Sequence, residues 1–115
     1  MFELEQCIKD EVKHLKNKYN LKINHIINES SYKIIYNGKV IALIDFIESD
    51  DIFEILHFEV FEKSKGYGKL VILELLKCKY LFKLDSLESS IGFWKKMGFE
   101  MCNHGDEINC FYDNR

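Results

Sequence analysis

Proline is absent from this 115-residue chain, and arginine occurs once, as Arg115. The sequence also lacks low-complexity tracts and internal repeats. These absences exclude proline-rich linkers and repeat architectures, so we expect residues 1–115 to form a single domain. Apolar runs fall well short of the ~20 residues that a membrane-spanning helix needs, and we therefore expect no association with a membrane.

The charge balance is mildly acidic, because 16 lysines and arginines stand against 19 aspartates and glutamates, for a net charge of -3. A general nucleic-acid binder is usually basic, so nucleic acid is not the expected partner. The balance leaves a cationic amine or a basic protein open as a partner.

The four cysteines are Cys7, Cys78, Cys102 and Cys110. The segment Cys102-Asn103-His104, with Cys110 downstream, lacks the paired ligand spacing of a zinc site, so we expect no metal. No secretory signal precedes Cys7, which favours reduced thiols and a cytoplasmic location.

Apolar periodicity and turn residues divide the chain into helices and strands. Helices are predicted at Phe2–Tyr19, at Gly68–Lys79 and along Leu87, Ile91, Trp94 and Met97. Strands are predicted at Leu21–Asn28, Tyr32–Tyr36, Val40–Ile47, Ile52–Phe61, Tyr80–Leu84, Phe99–Asn103 and Glu107–Tyr112. The expected stops and turns are Asn20, Asn37-Gly38 and Gly98, and the expected helix N-cap is Asp85 or Ser86. Tyr80–Leu84 follows a helix and should run parallel to Ile52–Phe61. The expected fold class is α/β of the α+β type, with a mixed, mostly antiparallel sheet flanked by helices.

A basic turn with two glycines joins the strand ending near Val60 to the next helix, in the segment Lys63-Ser64-Lys65-Gly66-Tyr67-Gly68-Lys69. The N–H groups at a helix N-terminus and the helix dipole both attract a negatively charged group. Three lysines in the turn strengthen that attraction. The turn therefore predicts a phosphate-bearing ligand. Its glycine spacing fits neither the Walker A loop nor the dinucleotide fingerprint, which excludes those two nucleotide sites.

Two segments resemble the motifs of the GNAT superfamily of N-acetyltransferases. The basic turn is similar to its Q/R-x-x-G-x-G/A motif, with Lys63 at the Q/R position. Ser90 to Phe99 is similar to the later A-x-x-F-Y-x-K-x-G-F motif, with Trp94 at the tyrosine position. The resemblance covers about Phe53 to Phe99, and it implies a GNAT-like fold. The two-helix segment that usually follows the family's first strand is not recognisable.

The resemblance implies transfer of an acetyl group from acetyl-CoA to an amine, which is a small molecule or a protein. It further implies that the strand bearing Phe58 and Val60 binds the pantetheine arm through its backbone. The pyrophosphate would then lie on the basic turn, at Lys63, Lys65, Gly66, Tyr67, Gly68 and Lys69. Homodimers are frequent in this superfamily, so a homodimer is possible here.

The candidate general base is Glu54. An amine acceptor is mostly protonated at neutral pH, so a base must remove its proton. Period-two alternation would place Glu54 on one apolar face with Leu56, Phe58 and Val60. Its position before Val60 also resembles that of the family's glutamate base, and His57 and Glu59, on the opposite face, form the rival pair.

The general acid has no obvious candidate, because the resemblance places its tyrosine at Trp94, which has no usable proton. Possible substitutes are Tyr67, Ser90, Cys102 and Tyr112. This gap leaves a second hypothesis open, a GNAT-like module that binds CoA or a protein partner with little catalysis.

Overall fold

The computed structural model describes residues 2–21, 31–62 and 65–115. The strand predicted at Leu21–Asn28 therefore lies almost wholly outside the described residues. Lys63 and Ser64 of the basic turn lie outside them too.

Within the described ranges, seven strands form one sheet, and three α-helices flank it. The strands are β1 Phe2–Gln6, β2 Ser31–Tyr36, β3 Lys39–Ser49, β4 Ile52–Val60, β5 Leu81–Asp85, β6 Glu100–His104 and β7 Glu107–Asp113. The helices are α1 Lys9–Tyr19, α2 Tyr67–Leu75 and α3 Ile91–Lys96, which a short 3-10 turn at Glu88–Ser90 precedes. The strand order is β1-β2-β3-β4-β5-β7-β6. Among the strands of the described ranges, only β4 and β5 run parallel, which confirms the predicted mixed, mostly antiparallel sheet.

The first residues form a strand rather than the start of a helix, so the predicted helix Phe2–Tyr19 is wrong in its first third. β1 pairs antiparallel with β2 from Phe2 opposite Tyr36 to Gln6 opposite Tyr32. The rings of Phe2 and Tyr36 stack with their centroids 4.7 Å apart. Pairing with a strand that lies far along the chain overrides the local helical periodicity, and α1 begins only at Lys9. A strand thus precedes α1 at the edge of the sheet.

Most of the predicted stops and turns are confirmed by left-handed backbone conformations. Asn20 ends α1 with φ 52°, and Gly98 follows α3 with φ 95°. Asn37 and Gly38 both have positive φ, the geometry of a two-residue hairpin between β2 and β3.

Two helix boundaries differ from the prediction. α2 ends at Leu75 rather than Lys79. The predicted side-chain cap of α3 is wrong, because Asp85 is the last residue of β5 and the Ser86 hydroxyl donates to the Leu87 carbonyl at 2.7 Å. Leu87 is 68% exposed instead of packing under the helix.

Each face of the sheet has its own apolar core. On one face, here the α2/α3 face, Phe53, Ile55 and Phe82 pack against residues of α2 and α3. On the other, the α1 face, Leu43 and Phe61 pack against Val12 and Leu15 of α1, with Cys7 and Leu21. The two cores hold the centre of the sheet rigid, which positions the open end of β4 and β5.

Candidate active site

β4 and β5 separate partway along their length. They pair from Ile52 with Leu81 to Ile55 with Leu84, after which β4 continues to Val60 while β5 ends at Asp85. A cleft of about 650 Å³ opens between them, within the size range of small-molecule sites. β4 residues from Ile55 to Val60 form one wall, and the opposite wall includes Leu84 to Leu87, Ser90, Phe93 and Trp94.

A bulge in β4 reverses which side chains share a face. Asp45 of β3 lies opposite His57, but its neighbour Phe46 lies opposite Ile55, so Leu56 is an extra residue in β4. Side-chain alternation therefore changes phase at Leu56.

The bulge corrects the expected arrangement of β4. Phe58 and Val60 lie on the α2/α3 face and pack against its core, as Ile55 does. Glu54 lies on the α1 face, where the register also places His57 and Glu59. The prediction that Glu54 shares a face with Phe58 and Val60 is therefore wrong, because simple alternation does not allow for the inserted residue.

The glycine turn has the backbone geometry that its sequence predicts. Gly66 is the N-cap of α2 with φ 76°, and α2 begins at Tyr67. The first N–H groups of a helix have no acceptor inside it and point outward with the positive end of the dipole. A Cβ added at Gly68 would lie 3.5 Å from the Phe93 ring and 3.8 Å from Val60, so Gly68 sits at the junction of turn and cleft.

An acidic residue moderates the charge of this turn, which the sequence reading missed. The Glu62 carboxylate lies 3.5 Å from the Lys65 ammonium and also pairs with Lys39. The hydrogen bond from Lys39 lowers the pKa of Glu62, and Lys65 contributes further. Lys69 is exposed in the first turn of α2. The turn thus keeps basic side chains at its surface, with one of them partly neutralised.

Trp94 is a buried wall of the cleft. Its ring centroid lies 6.5 Å from that of Phe58, 4.9 Å from Phe93 and 5.1 Å from Phe99. The contact with Phe99 confirms that this residue packs back onto α3, and the Phe99 N–H donates to the Trp94 carbonyl at 3.1 Å. The indole makes this end of the cleft apolar.

The possible general acids are scattered. Ser90 lines the cleft. Tyr67 contacts the ring of Tyr36, with centroids 6.3 Å apart, and Tyr112 packs on Phe99. Cys102 is exposed on β6. Only Ser90 of the four stands where it could meet a group bound in the cleft.

A second cavity, of about 420 Å³, lies on the α1 face of the sheet. Its polar and aromatic side chains come from four strands: Glu54, Lys83, Asp85, Cys102, Asn109 and Phe111. Leu84 and Asp85 line this cavity and the cleft alike. The two cavities therefore adjoin where β5 ends, and Glu54 stands in the second one.

The sequence reading did not identify Lys83, Asp85 and Asn109 as site residues. Leu-Phe-Lys-Leu-Asp alternates with period two, and this pattern signals that Lys83 and Asp85 share a face opposite the buried Phe82 and Leu84. Asn109 lies opposite Asp85 in the pairing of β5 with β7. The residues around Asp85 and Asn109 do not by themselves predict that β5 pairs with β7.

The rival base, His57, belongs to a polar row across the α1 face. Ser31, Asp45 and His57 lie side by side on β2, β3 and β4, and Asp45 is only 1% exposed. Glu59, also on this face, is buried as well. His57 lines the cleft, whereas Glu54 lines the second cavity and lies on the other side of the bulge.

Across the parts of the chain that the structure describes, no group of three or more His, Cys, Asp or Glu side chains is arranged to hold a metal ion. None of the helices in the described ranges combines the length and the apolar character that crossing a bilayer requires.

Comparison with known proteins shows similarity in structure but not in sequence. No family profile matches the chain, and no curated protein matches it in sequence. Among solved structures, the N-acetyltransferase YlbP of Bacillus subtilis, in complex with coenzyme A, superposes with a TM-score of 0.71 at 17% identity. This match covers 98% of the present chain and 97% of YlbP.

Two further structures give the same result. The N-acetyltransferase PseH of Campylobacter jejuni has a TM-score of 0.71 at 15% identity, with 99% of both chains covered. A protein of Bacteroides thetaiotaomicron assigned to the GNAT family of acetyltransferases has a TM-score of 0.68 at 17% identity, covering 98% of this chain and 88% of its own. The chain therefore has the GNAT fold, as the two sequence motifs predict.

Proposed function

We propose that this chain is an N-acetyltransferase that moves an acetyl group from acetyl-CoA to an amine. The observation that carries the proposal is the separation of β4 from β5 beside the Gly66 turn. This arrangement would join a cleft for an extended chain to a turn whose N–H groups can bind phosphate. The fold that the chain shares with structures of N-acetyltransferases supports the same function.

The residues present fit acetyl-CoA. β5 pairs with β4 only as far as Ile55, so the β4 backbone from Phe58 to Val60 borders the cleft. An extended pantetheine arm would hydrogen-bond to this backbone as a neighbouring strand does. The pyrophosphate would bind the N–H groups at Gly66 and Tyr67, near the cationic side chains of Lys65 and Lys69. Lys63 stays a predicted contact of the same kind. Acetyl-CoA supplies an activated thioester, and the protein supplies position and proton transfer.

The acceptor amine would approach from the second cavity. Because Leu84 and Asp85 line both cavities, an amine held there would face the inner end of the cleft. The Glu54 carboxylate would accept one proton of the ammonium, and the nitrogen would form its bond to the acetyl carbon as the carbon–sulfur bond breaks. The second proton that the nitrogen loses as the amide forms would pass to the departing CoA sulfur. His57 is the alternative base, since it lines the cleft itself.

Trp94 would act by exclusion rather than by donating a proton. Its buried indole, with Phe58 and Phe93, keeps water from the thioester end of the cleft, which limits hydrolysis. A thiol has a pKa near 8.5, so its thiolate can depart without a dedicated general acid and take up the proton that the nitrogen loses, and Ser90 can donate a hydrogen bond to it.

A second candidate function is a module that binds CoA with little catalysis. Trp94, at the position where the motif has a tyrosine, favours it, because the cleft wall then lacks an ionisable hydroxyl at that point. Both functions require the Gly66 turn to bind CoA, so binding does not separate them, whereas turnover does.

Calorimetric titration of the purified chain with acetyl-CoA, CoA and ATP tests the first step. We expect micromolar binding of acetyl-CoA and CoA but not of ATP. Absence of binding by both CoA compounds would remove both candidate functions and leave the Gly66 turn as a structural junction.

The second step is acetyl transfer by a Glu54→Gln variant, with Glu107→Gln at the tip of the β6–β7 hairpin as the matched control. Loss of a general base typically lowers kcat about 10²–10⁴-fold, and acetyl-CoA affinity should be unchanged. Unchanged turnover in Glu54→Gln would reject Glu54 as the base and direct attention to His57. If the unaltered chain binds CoA yet transfers no acetyl group to any amine, the binding module is the better account.

A further inference from the structure

We infer that the acceptor is a small amine that carries a carboxylate a few bonds from its nitrogen, such as an ω-amino acid. This inference rests on the proposed function, and it concerns the second cavity. Its basis is the placement of one cation, Lys83, between two carboxylates on the same face of the sheet.

The pairing of the strands fixes that placement. Lys83 lies directly beside Glu54 in the parallel pair of β4 and β5. Asp85 follows two residues later on β5 and projects from the same face, about 7 Å from Lys83 along the strand. On the other side of β5, Phe111 lies opposite Lys83 and Asn109 opposite Asp85.

The two ends of the cavity therefore differ in charge. Asp85 lies at the end that adjoins the cleft, since it lines both cavities, and an ammonium group is stabilised there. Lys83 lies one step further from the cleft. Its side chain is exposed, and in the described part of the chain no ion pair or hydrogen bond engages its ammonium group. A carboxylate on the acceptor would accept a charge-assisted hydrogen bond from the Lys83 ammonium.

The spacing sets the size of the acceptor. The backbone positions of Lys83 and Asp85, same-face neighbours on a strand, are about 7 Å apart, so an amine near Asp85 and a carboxylate that meets Lys83 require a short acceptor. Extended γ-aminobutyrate spans roughly 5–6 Å by standard bond lengths, and the long Lys83 side chain can reach its carboxylate. The cavity volume of about 420 Å³ is also that of a small-molecule site.

A diamine fits the same cavity less well. Its second ammonium would lie beside Lys83, and like charges at close range repel, while the Glu54 carboxylate beside Lys83 offsets part of that repulsion. An alkylamine of equal length would bring no carboxylate to Lys83. We therefore expect the order γ-aminobutyrate, then butylamine, then putrescine in kcat/KM.

The test is acetyl transfer from acetyl-CoA to these three amines by the full chain and by Lys83→Ala, Lys83→Glu and Lys77→Ala. Lys77→Ala is the control, because Lys77 is an exposed lysine paired with Glu74 at the end of α2. We expect Lys83→Ala to raise KM for γ-aminobutyrate about tenfold, with little change for butylamine, as loss of one charge-assisted hydrogen bond would. Lys83→Glu should reverse the order and favour putrescine.

The outcomes separate this inference from the function on which it rests. Transfer to all three amines with equal efficiency, or without dependence on Lys83, would overturn the inference and leave the acetyltransferase function standing. Transfer only to the amino groups of added peptides or proteins, with none of the three small amines accepted, would likewise overturn it. An absence of transfer to every acceptor would reject the proposed function, and this inference with it.

Discussion

Replacement of Gly66 by alanine tests whether the backbone of the turn, rather than any side chain, sets its conformation. Gly66 has φ 76°, and a Cβ built there meets no atom within 4 Å. The penalty is therefore the intrinsic cost of a left-handed conformation for an L-residue, about 1–2 kcal/mol, with no steric clash added. In a domain of this size we expect Tm to fall by roughly 4–8 °C per kcal/mol.

Two matched variants isolate that cost. Gly92, inside α3, also has open space at its Cβ but normal helical φ, so Gly92→Ala should stabilise the chain by about 0.5–1 kcal/mol. Gly66→Asn should cost less than Gly66→Ala, since asparagine tolerates the left-handed region better. Urea unfolding of the four proteins gives the free energies directly. Equal stability of Gly66→Ala and Gly92→Ala would refute the assigned backbone conformation.

The same variants report on binding. If Gly66→Ala keeps the turn, acetyl-CoA at a hundred times its Kd should still stabilise the chain by about 2.7 kcal/mol. If the turn relaxes to avoid the strain, the N–H groups move and that stabilisation shrinks. Loss of ligand stabilisation in Gly92→Ala instead would show that the phosphate site lies elsewhere.

Three further predictions concern stability and reactivity. The hydrogen bond between Lys33 and Glu11 lowers the pKa of Glu11 and raises the pKa of Lys33. The ion pair therefore stabilises the fold at neutral pH. This stabilisation is lost when the pH falls through the folded pKa of Glu11 or rises through the folded pKa of Lys33. Lys33→Met should therefore cost about 1 kcal/mol by urea unfolding at pH 7 and far less near pH 2, and an equal cost at both would contradict this account. Phe82 is fully buried, and Phe82→Ala should cost about 3–5 kcal/mol; a cost under 1 kcal/mol would mean that the core there repacks. Burial raises the pKa of the Cys7 thiol to about 11, so iodoacetamide should modify exposed Cys78 in minutes and Cys7 only after unfolding, and equal rates would disprove the burial of Cys7.

Much of the fold could be predicted because its signals are local. The hairpin at Asn37-Gly38, the left-handed cap at Gly98 and the parallel β5 after α2 each follow from a few adjacent residues. Phe2–Gln6 was misread because a short edge strand has no buried face of its own to mark it. Its conformation comes from pairing with β2, which lies about thirty residues downstream in the sequence.

The candidate site also has one part that the local sequence predicts and another that depends on strand pairing. Gly66 marks the turn before α2 from sequence alone, since its left-handed φ of 76° is a conformation that favours glycine, whereas Gly68 has ordinary helical backbone inside α2. Phosphate binding at this turn stays a prediction. The role of Glu54 stays a prediction, but its place does not follow from the alternation that suggested it, because the extra residue Leu56 moves it to the face opposite Phe58.

Local sequence signals are enough to predict one domain with a glycine turn between a strand and a helix, because turn chemistry and apolar periodicity act over a few neighbouring residues. Which side chains meet depends on how the strands pair in the folded sheet. The bulge in β4 and the early end of β5 arise from pairing between strands distant in sequence, and each shifts a whole face of side chains at once. For that reason the second cavity, with Lys83 and Asp85 beside Glu54, cannot be predicted from any one segment of the sequence.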